Sequence, residues 1–158
     1  MLCPKCQSLL DKGIISQLDV DLMHELLRIE EEDVGNLKKV IYHNALKVDD
    51  VILVFITGLN MLSDSELRKI YSRLDKAGFK NVRFIEKTRD LKTLIQSIVS
   101  PARVLGVNIV WFPDGSSEYS VRIPSRDARK MPYSPKLVED MIRRITGENI
   151  RIVFERYI

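Results

Sequence analysis

Two groups of residues in this 158-residue chain have types and spacings that suit chemistry. The first is Cys3-Pro4-Lys5-Cys6, the Cys-x2-Cys spacing of one zinc knuckle, in which two thiolates bind a metal from a tight turn. A structural zinc site needs four ligands, so Cys3 and Cys6 supply half a set, and a free surface pair or the remnant of a knuckle is the favoured reading. His24 and His43 are the only histidines, and they fall in a helical and a strand-like pattern respectively, where structural roles suffice. The second group is basic. Arg126, Arg129, Lys130 and Lys136 surround a helix start, Tyr133 offers a stacking platform, and Arg143, Arg144 and Arg151 extend the patch. Cations interleaved with an aromatic suit single-stranded RNA, although exposed Lys and Arg also make an ordinary soluble surface.

Enzyme chemistry has no such signature. There is no glycine-rich phosphate loop, no nucleophile with a base, and too few histidines for a hydrolytic metal centre. Asp49-Asp50 and Asp64 read as turn and cap residues. The expectation is a binding protein that is not an enzyme and needs no cofactor.

Composition agrees with a folded chain. With 45% hydrophobic and 30% charged residues it can bury a core. A net charge of +3 is too small to diagnose a polyanion partner, but its distribution is uneven. Asp19 to Asp33 holds seven acids against one arginine, whereas Glu66 to Lys92 and Arg122 to Arg151 are each predominantly basic. The acidic run Glu30-Glu31-Glu32-Asp33 reads as a solvated helix end. No apolar run reaches the roughly 18 residues of a membrane span, and the N-terminus lacks a signal-peptide core. Two cysteines three apart cannot staple a fold, so the expected compartment is the cytoplasm, with no membrane partner.

The elements that would position these groups follow from periodicity. Asp19 can cap a helix carrying Leu22, Met23, Leu26 and Leu27 on one stripe, fraying before Gly35 because its C-terminal acids oppose the dipole. Val40 to Val48 suits a half-exposed strand and Val51 to Ile56 a buried one. Ser63-x-x-Glu66 is a capping box ahead of Leu67, Ile70, Tyr71, Leu74 and Ala77 at helical spacing. Val82 to Glu86 is a short strand, and Asp90 caps a helix that Pro101 ends.

Val104 to Trp111 is almost wholly apolar, the pattern of a strand covered on both faces or of a central strand. Trp111 and Phe112 accordingly read as core or interface residues rather than base-stackers. Pro113-Asp114-Gly115 makes a turn, and Glu118 to Ile123 alternates like a strand that Pro124 closes. A basic loop from Arg126 to Tyr133 leads to Ser134-Pro135, a helix start. That helix buries Leu137, Val138, Met141, Ile142 and Ile145, and Ile150 to Phe154 is the last strand. The order helix, strand, strand, helix, strand thus occurs twice, with only Lys87 to Arg89 between the halves. The expected fold is α+β: an N-terminal half-knuckle segment (1–18), a first unit (19–89) and a second (90–158), the two units packed as a rigid pair.

That order is close to a type II KH domain. The run from Ile85 to Ile109, IEKTRDLKTLIQSIVSPARVLGVNI, resembles the bridge between the tandem KH domains of the NusA family. Ser120 to Pro124 and Ile145-Thr146-Gly147-x-x-Ile150 resemble its second KH domain. With CPKC ahead of the pair, residues 19 to 155 look like an archaeal NusA-like transcription elongation or termination factor. The resemblance implies RNA binding, with RNA polymerase or other transcription and ribosomal proteins as possible partners. It also implies that zinc would need the cysteine pair completed by another chain or by upstream residues.

One departure qualifies the inference. A KH domain grips nucleotides with a Gly-x-x-Gly loop, whose backbone approaches phosphates at a helix start. Here Asp64-Ser65-Glu66-Leu67 and Tyr133-Ser134-Pro135-Lys136 stand at the matching places, without glycine. RNA contact is therefore expected to be weak and made by the basic side chains of the second unit. The alternative is a protein-interaction module, docking RNA polymerase or a ribonucleoprotein partner, in which RNA binding is lost.

Overall fold

The computed structural model describes residues 3–13 and 15–156. The fold is α+β, in two compact units, Met1–Lys87 and Thr88–Ile158. The division falls between Lys87 and Thr88.

The first unit opens with α1 (Pro4–Asp11) and α2 (Gln17–Glu32), followed after a 3-10 turn (Gly35–Lys39) by β1 (Ile41–Val48) and β2 (Val51–Thr57). A second 3-10 turn (Leu59–Met61), α3 (Asp64–Lys76) and β3 (Val82–Glu86) complete it. The sheet order is β1-β2-β3, with β1 antiparallel and β3 parallel to β2. β2 is central, and Val51 to Ile56 are all buried, as the run VILVFI predicts. Ile52, Val54, Ile56 and Phe84 share a core with Leu22 and Ile29 of α2 and Ile70 and Leu74 of α3. Each such side chain contributes about 1.5–3 kcal/mol by leaving water.

The helix starts are set by side chains. α3 has the predicted capping box: Glu66 N–H donates to Ser63 Oγ, and Ser63 N–H donates to Glu66 Oε1 at 3.0 Å. For α2 the cap is Ser16, not Asp19. Asp19 is the third helical residue, and its carboxylate closes the box from the other side. α2 runs through Glu32, with Asp33 as its C-cap, and so ends before Gly35 as expected. Its terminal acids are not simply solvated, because Arg73 and Lys69 of α3 pair with Glu32 and Asp33. The cysteine pair stands at the start of α1, where Cys3 is the N-cap and Cys6 lies in the first turn, both free thiols.

The second unit repeats the order. It contains α4 (Leu91–Val99), β4 (Gly106–Trp111), β5 (Ser117–Pro124), α5 (Pro135–Thr146) and β6 (Ile150–Glu155). Its sheet order is β4-β5-β6, again with an antiparallel hairpin and a parallel third strand. Asp90 and Ser134 cap α4 and α5 as predicted. Buried residues include Leu94, Ile95, Ile98 and Val99 of α4, Val121 and Ile123 of β5, and Val138, Met141 and Ile142 of α5. Gly115 takes φ +88° in the hairpin turn, donating to the Phe112 carbonyl.

Two expectations for this unit are corrected. β4 is an edge strand and largely exposed, because its neighbour β5 takes the centre. Trp111 and Phe112 are accordingly exposed, not core. The basic loop is also partly ordered as a 3-10 helix, Ser125–Lys130. Among the described residues, no helix is long and apolar enough to cross a membrane.

Candidate nucleic-acid interface

The basic group of the second unit is built on two short elements. The 3-10 helix Ser125–Lys130 carries Arg126, Arg129 and Lys130, and the first turn of α5 carries Lys136. Tyr133 lies between them, half-buried. Ser134 starts α5 by accepting the Leu137 amide on its Oγ at 3.2 Å, and Pro135 occupies the first helical position. Arg129 and Lys136 are exposed.

The 3-10 helix is pinned by Asp127, a residue that no sequence motif marks. Its side chain is fully buried. Oδ2 accepts the Arg103 amide at 3.0 Å, with Arg103 Nε at 3.7 Å. Lys130 Nζ stands 3.5 Å from Oδ1, which is otherwise buried without a donor. The Arg103 amide, assisted by the Lys130 and Arg103 charges, outweighs burial and holds this carboxyl below the usual range. Part of the Lys130 charge is therefore answered inside the protein. A lone acid in a basic run, three residues before a lysine, is the only sequence signal for this role.

Arg143 and Arg144 do not join this cluster closely. They lie in the last turn of α5, where cations complement the helix dipole. Arg143 follows Lys136 by seven residues, so both face the same way about 10 Å apart along the axis. Asp140 lies between them on that face and pairs with Arg143 at 3.4 Å. Arg143 instead lines an open polar cleft of about 310 Å³ with Phe112, Glu139 and Arg151. Arg151 pairs across it with Glu118 at 3.3 Å.

The corresponding helix start in the first unit is closed to anions. Glu66 takes the Ser63 amide on one oxygen and the Asn36 amide group on the other, at 3.0 Å each. These bonds hold its carboxyl below the usual range. Two acids, Asp64 and Glu66, occupy the first turn, where the dipole would otherwise favour a phosphate. The nearby cations Lys69 and Arg73 are paired with Asp33 and Glu32.

At the N-terminus, the Cys6 amide donates to Cys3 Sγ at 3.3 Å. That bond lowers the Cys3 thiol pKa, while the Cys3 contact and burial raise that of Cys6. Among the described residues, no three His, Cys, Asp or Glu side chains gather as a metal-binding group.

No family model matches the chain, and no curated protein matches it. Among solved structures, it is similar to an archaeal protein whose structure is titled "Crystal structure of APE1850". The TM-score is 0.61 at 12% identity, over 89% of this chain and 100% of that one. Likeness at that identity establishes a shared fold.

Proposed function

We propose that the two units are type II KH-like and that the chain is a non-enzymatic, NusA-like transcription elongation or termination factor. In this reading it acts in the cytoplasm and binds single-stranded RNA weakly, through basic side chains of the second unit. The KH-like reading rests on the repeated topology and on a short 3-10 helix leading to a capped helix at the same place in each unit. The RNA reading rests on one contrast. The α5 start is flanked by exposed Arg129 and Lys136, whereas the α3 start is sealed by Glu66.

Without glycines, contact falls to side-chain cations, so binding is tolerant of sequence and steeply dependent on salt. Lys130 is partly held by Asp127, so Arg129 and Lys136 are the residues to change. The experiment measures affinity for a mixed-sequence single-stranded RNA at several salt concentrations. Arg129→Ala with Lys136→Ala should flatten the log–log salt slope by about 1.4, since each phosphate contact on a single strand contributes about 0.7. Lys69→Ala with Arg73→Ala should leave it unchanged. If the parent fails to bind at low salt, or the first pair leaves the slope intact, the reading fails. A protein-interaction module docking RNA polymerase or a ribonucleoprotein partner then takes its place.

A further inference from the structure

The two sheets present four edge strands, and three of them are blunted. The β1 edge has a register shift between Tyr42 and Asn44, carries Lys47, and gives its Ala45 amide to Asp19 Oδ1 at 2.8 Å. The β3 edge carries Arg83 and Glu86 and gives its Phe84 amide to the Tyr71 hydroxyl at 3.1 Å. The β6 edge carries Arg151 and Glu155 and gives its Ile152 amide to Glu139 at 3.2 Å.

β4 has none of these devices. From Val104 to Phe112 there is no charged residue and no proline, in a chain that is 30% charged. Phe112 donates to the Ser116 carbonyl across the hairpin. By alternation, Val110 and Asn108 also point their backbone groups toward β5, and Trp111, Ile109 and Val107 point theirs outward. Among the described residues, no side chain accepts these three outward amides. Their side chains share one sheet face, on which Ile109 is 50% and Trp111 71% exposed. An open, uncharged, apolar edge of this kind is a template for another strand.

We propose that this strand is a second copy of β4, pairing antiparallel about a twofold axis to give a closed dimer. In an isologous contact residue i meets residue j and j meets i, so a strand without charge brings no charged group into the joint from either side. β4 is the edge strand without one. Pairing centred on Ile109 sets Val107 of each copy opposite Trp111 of the other and satisfies all the outward amides. The joined sheet then ends in β6 on both sides, where Arg151, Glu155 and the Glu139 cap stop further growth. This inference is independent of RNA binding.

The test is sedimentation equilibrium of the full chain from micromolar to millimolar concentration, with tryptophan emission read on the same samples. Trp111 is the sole tryptophan and reports its own burial. Expected are a mass that levels off at two chains and an emission that shifts blue along the same curve. Ile109→Lys should weaken association about tenfold or more, because two ammonium groups would face each other. Ile109→Pro removes one outward amide while sparing the β4–β5 ladder, and it should weaken association independently. Circular dichroism establishes that each variant is folded. A parent that stays monomeric throughout, a mass that grows past two, or folded variants that associate like the parent would each overturn the proposal.

Discussion

Replacing Asp19 by alanine would unfasten α2 from the first sheet. Oδ1 accepts the Tyr42 hydroxyl at 2.6 Å and the Ala45 amide at 2.8 Å. Oδ2 accepts the Ser16 amide at 2.8 Å and the Ser16 hydroxyl at 2.9 Å. A hydrogen bond to a charged group contributes about 1.5–3 kcal/mol net, and an N-terminal cap about 1 kcal/mol. Because the four bonds share one carboxylate, they do not simply add, and Asp19→Ala should cost about 3–5 kcal/mol. Tyr42→Phe removes a single donor and should cost about 1 kcal/mol. The sole tryptophan lies in the other unit, so urea unfolding is best followed by far-ultraviolet circular dichroism, with amide exchange of β1 as a local probe. The pH dependence has a definite sign. Burial raises the Asp19 carboxyl pKa, but the bonds from Ser16, Tyr42 and Ala45 outweigh it and leave it below the usual range. Its contribution is therefore complete above the unfolded value near about 4 and is lost as pH falls through the lower folded value. Asp19→Asn should flatten this acid limb. An alanine variant losing less than about 1 kcal/mol, or an acid limb unchanged by Asp19→Asn, would refute the reasoning.

Four further outcomes can be checked. Gly58 sits at φ +102°, where an added Cβ would stand 3.2 Å from the Lys39 carbonyl, so Gly58→Ala should cost about 1–3 kcal/mol in urea unfolding. At Gly106 a Cβ would come within 2.4 Å of Arg122 Nη2. That is the far end of a flexible side chain, so Gly106→Ala should displace Arg122 from Asn108 at a cost under about 1 kcal/mol, with the shift visible at Arg122 Nε by NMR. Alkylation at neutral pH followed by mass spectrometry should label Cys3 before Cys6, because the Cys6 amide favours the Cys3 thiolate. Metal analysis of the dialysed monomer should find less than one zinc per chain, since the pair supplies two of four ligands.

Features that depend on near neighbours in the chain are legible in the sequence itself. The Ser63–Glu66 box, the Ser134-Pro135 start, the Pro113–Gly115 turn and the limits of β3 all come from interactions spanning a few residues, and each is found where expected. Asp19 shows where local patterns stop being informative. Its part in capping α2 is visible in outline, but its second oxygen serves Tyr42 and Ala45, which are more than twenty residues away. The acidic end of α2 is similar. Its pairing with Lys69 and Arg73 depends on α3 lying alongside, which no local pattern announces.

Sheet order is the clearest instance, and it decides the reading of both candidate surfaces. VILVFI and GVNIVW look alike as apolar runs, yet the first is a central strand and the second an edge. Which strand of a hairpin becomes central depends on where the third strand docks, and that strand lies beyond the next helix. In both units it docks parallel to the second strand, leaving the first outside. In the first unit the outer strand is bulged and tied to Asp19; in the second it is neither. The same long-range dependence separates the basic residues. Arg129 and Lys136 are exposed, Lys130 is drawn to Asp127, and Arg143 is drawn to Asp140. Charge counting weights these four cations equally, but their partners do not. A polyanion approaching α5 therefore meets fewer available charges than the sequence carries, which is why weak, salt-sensitive binding is the outcome to look for.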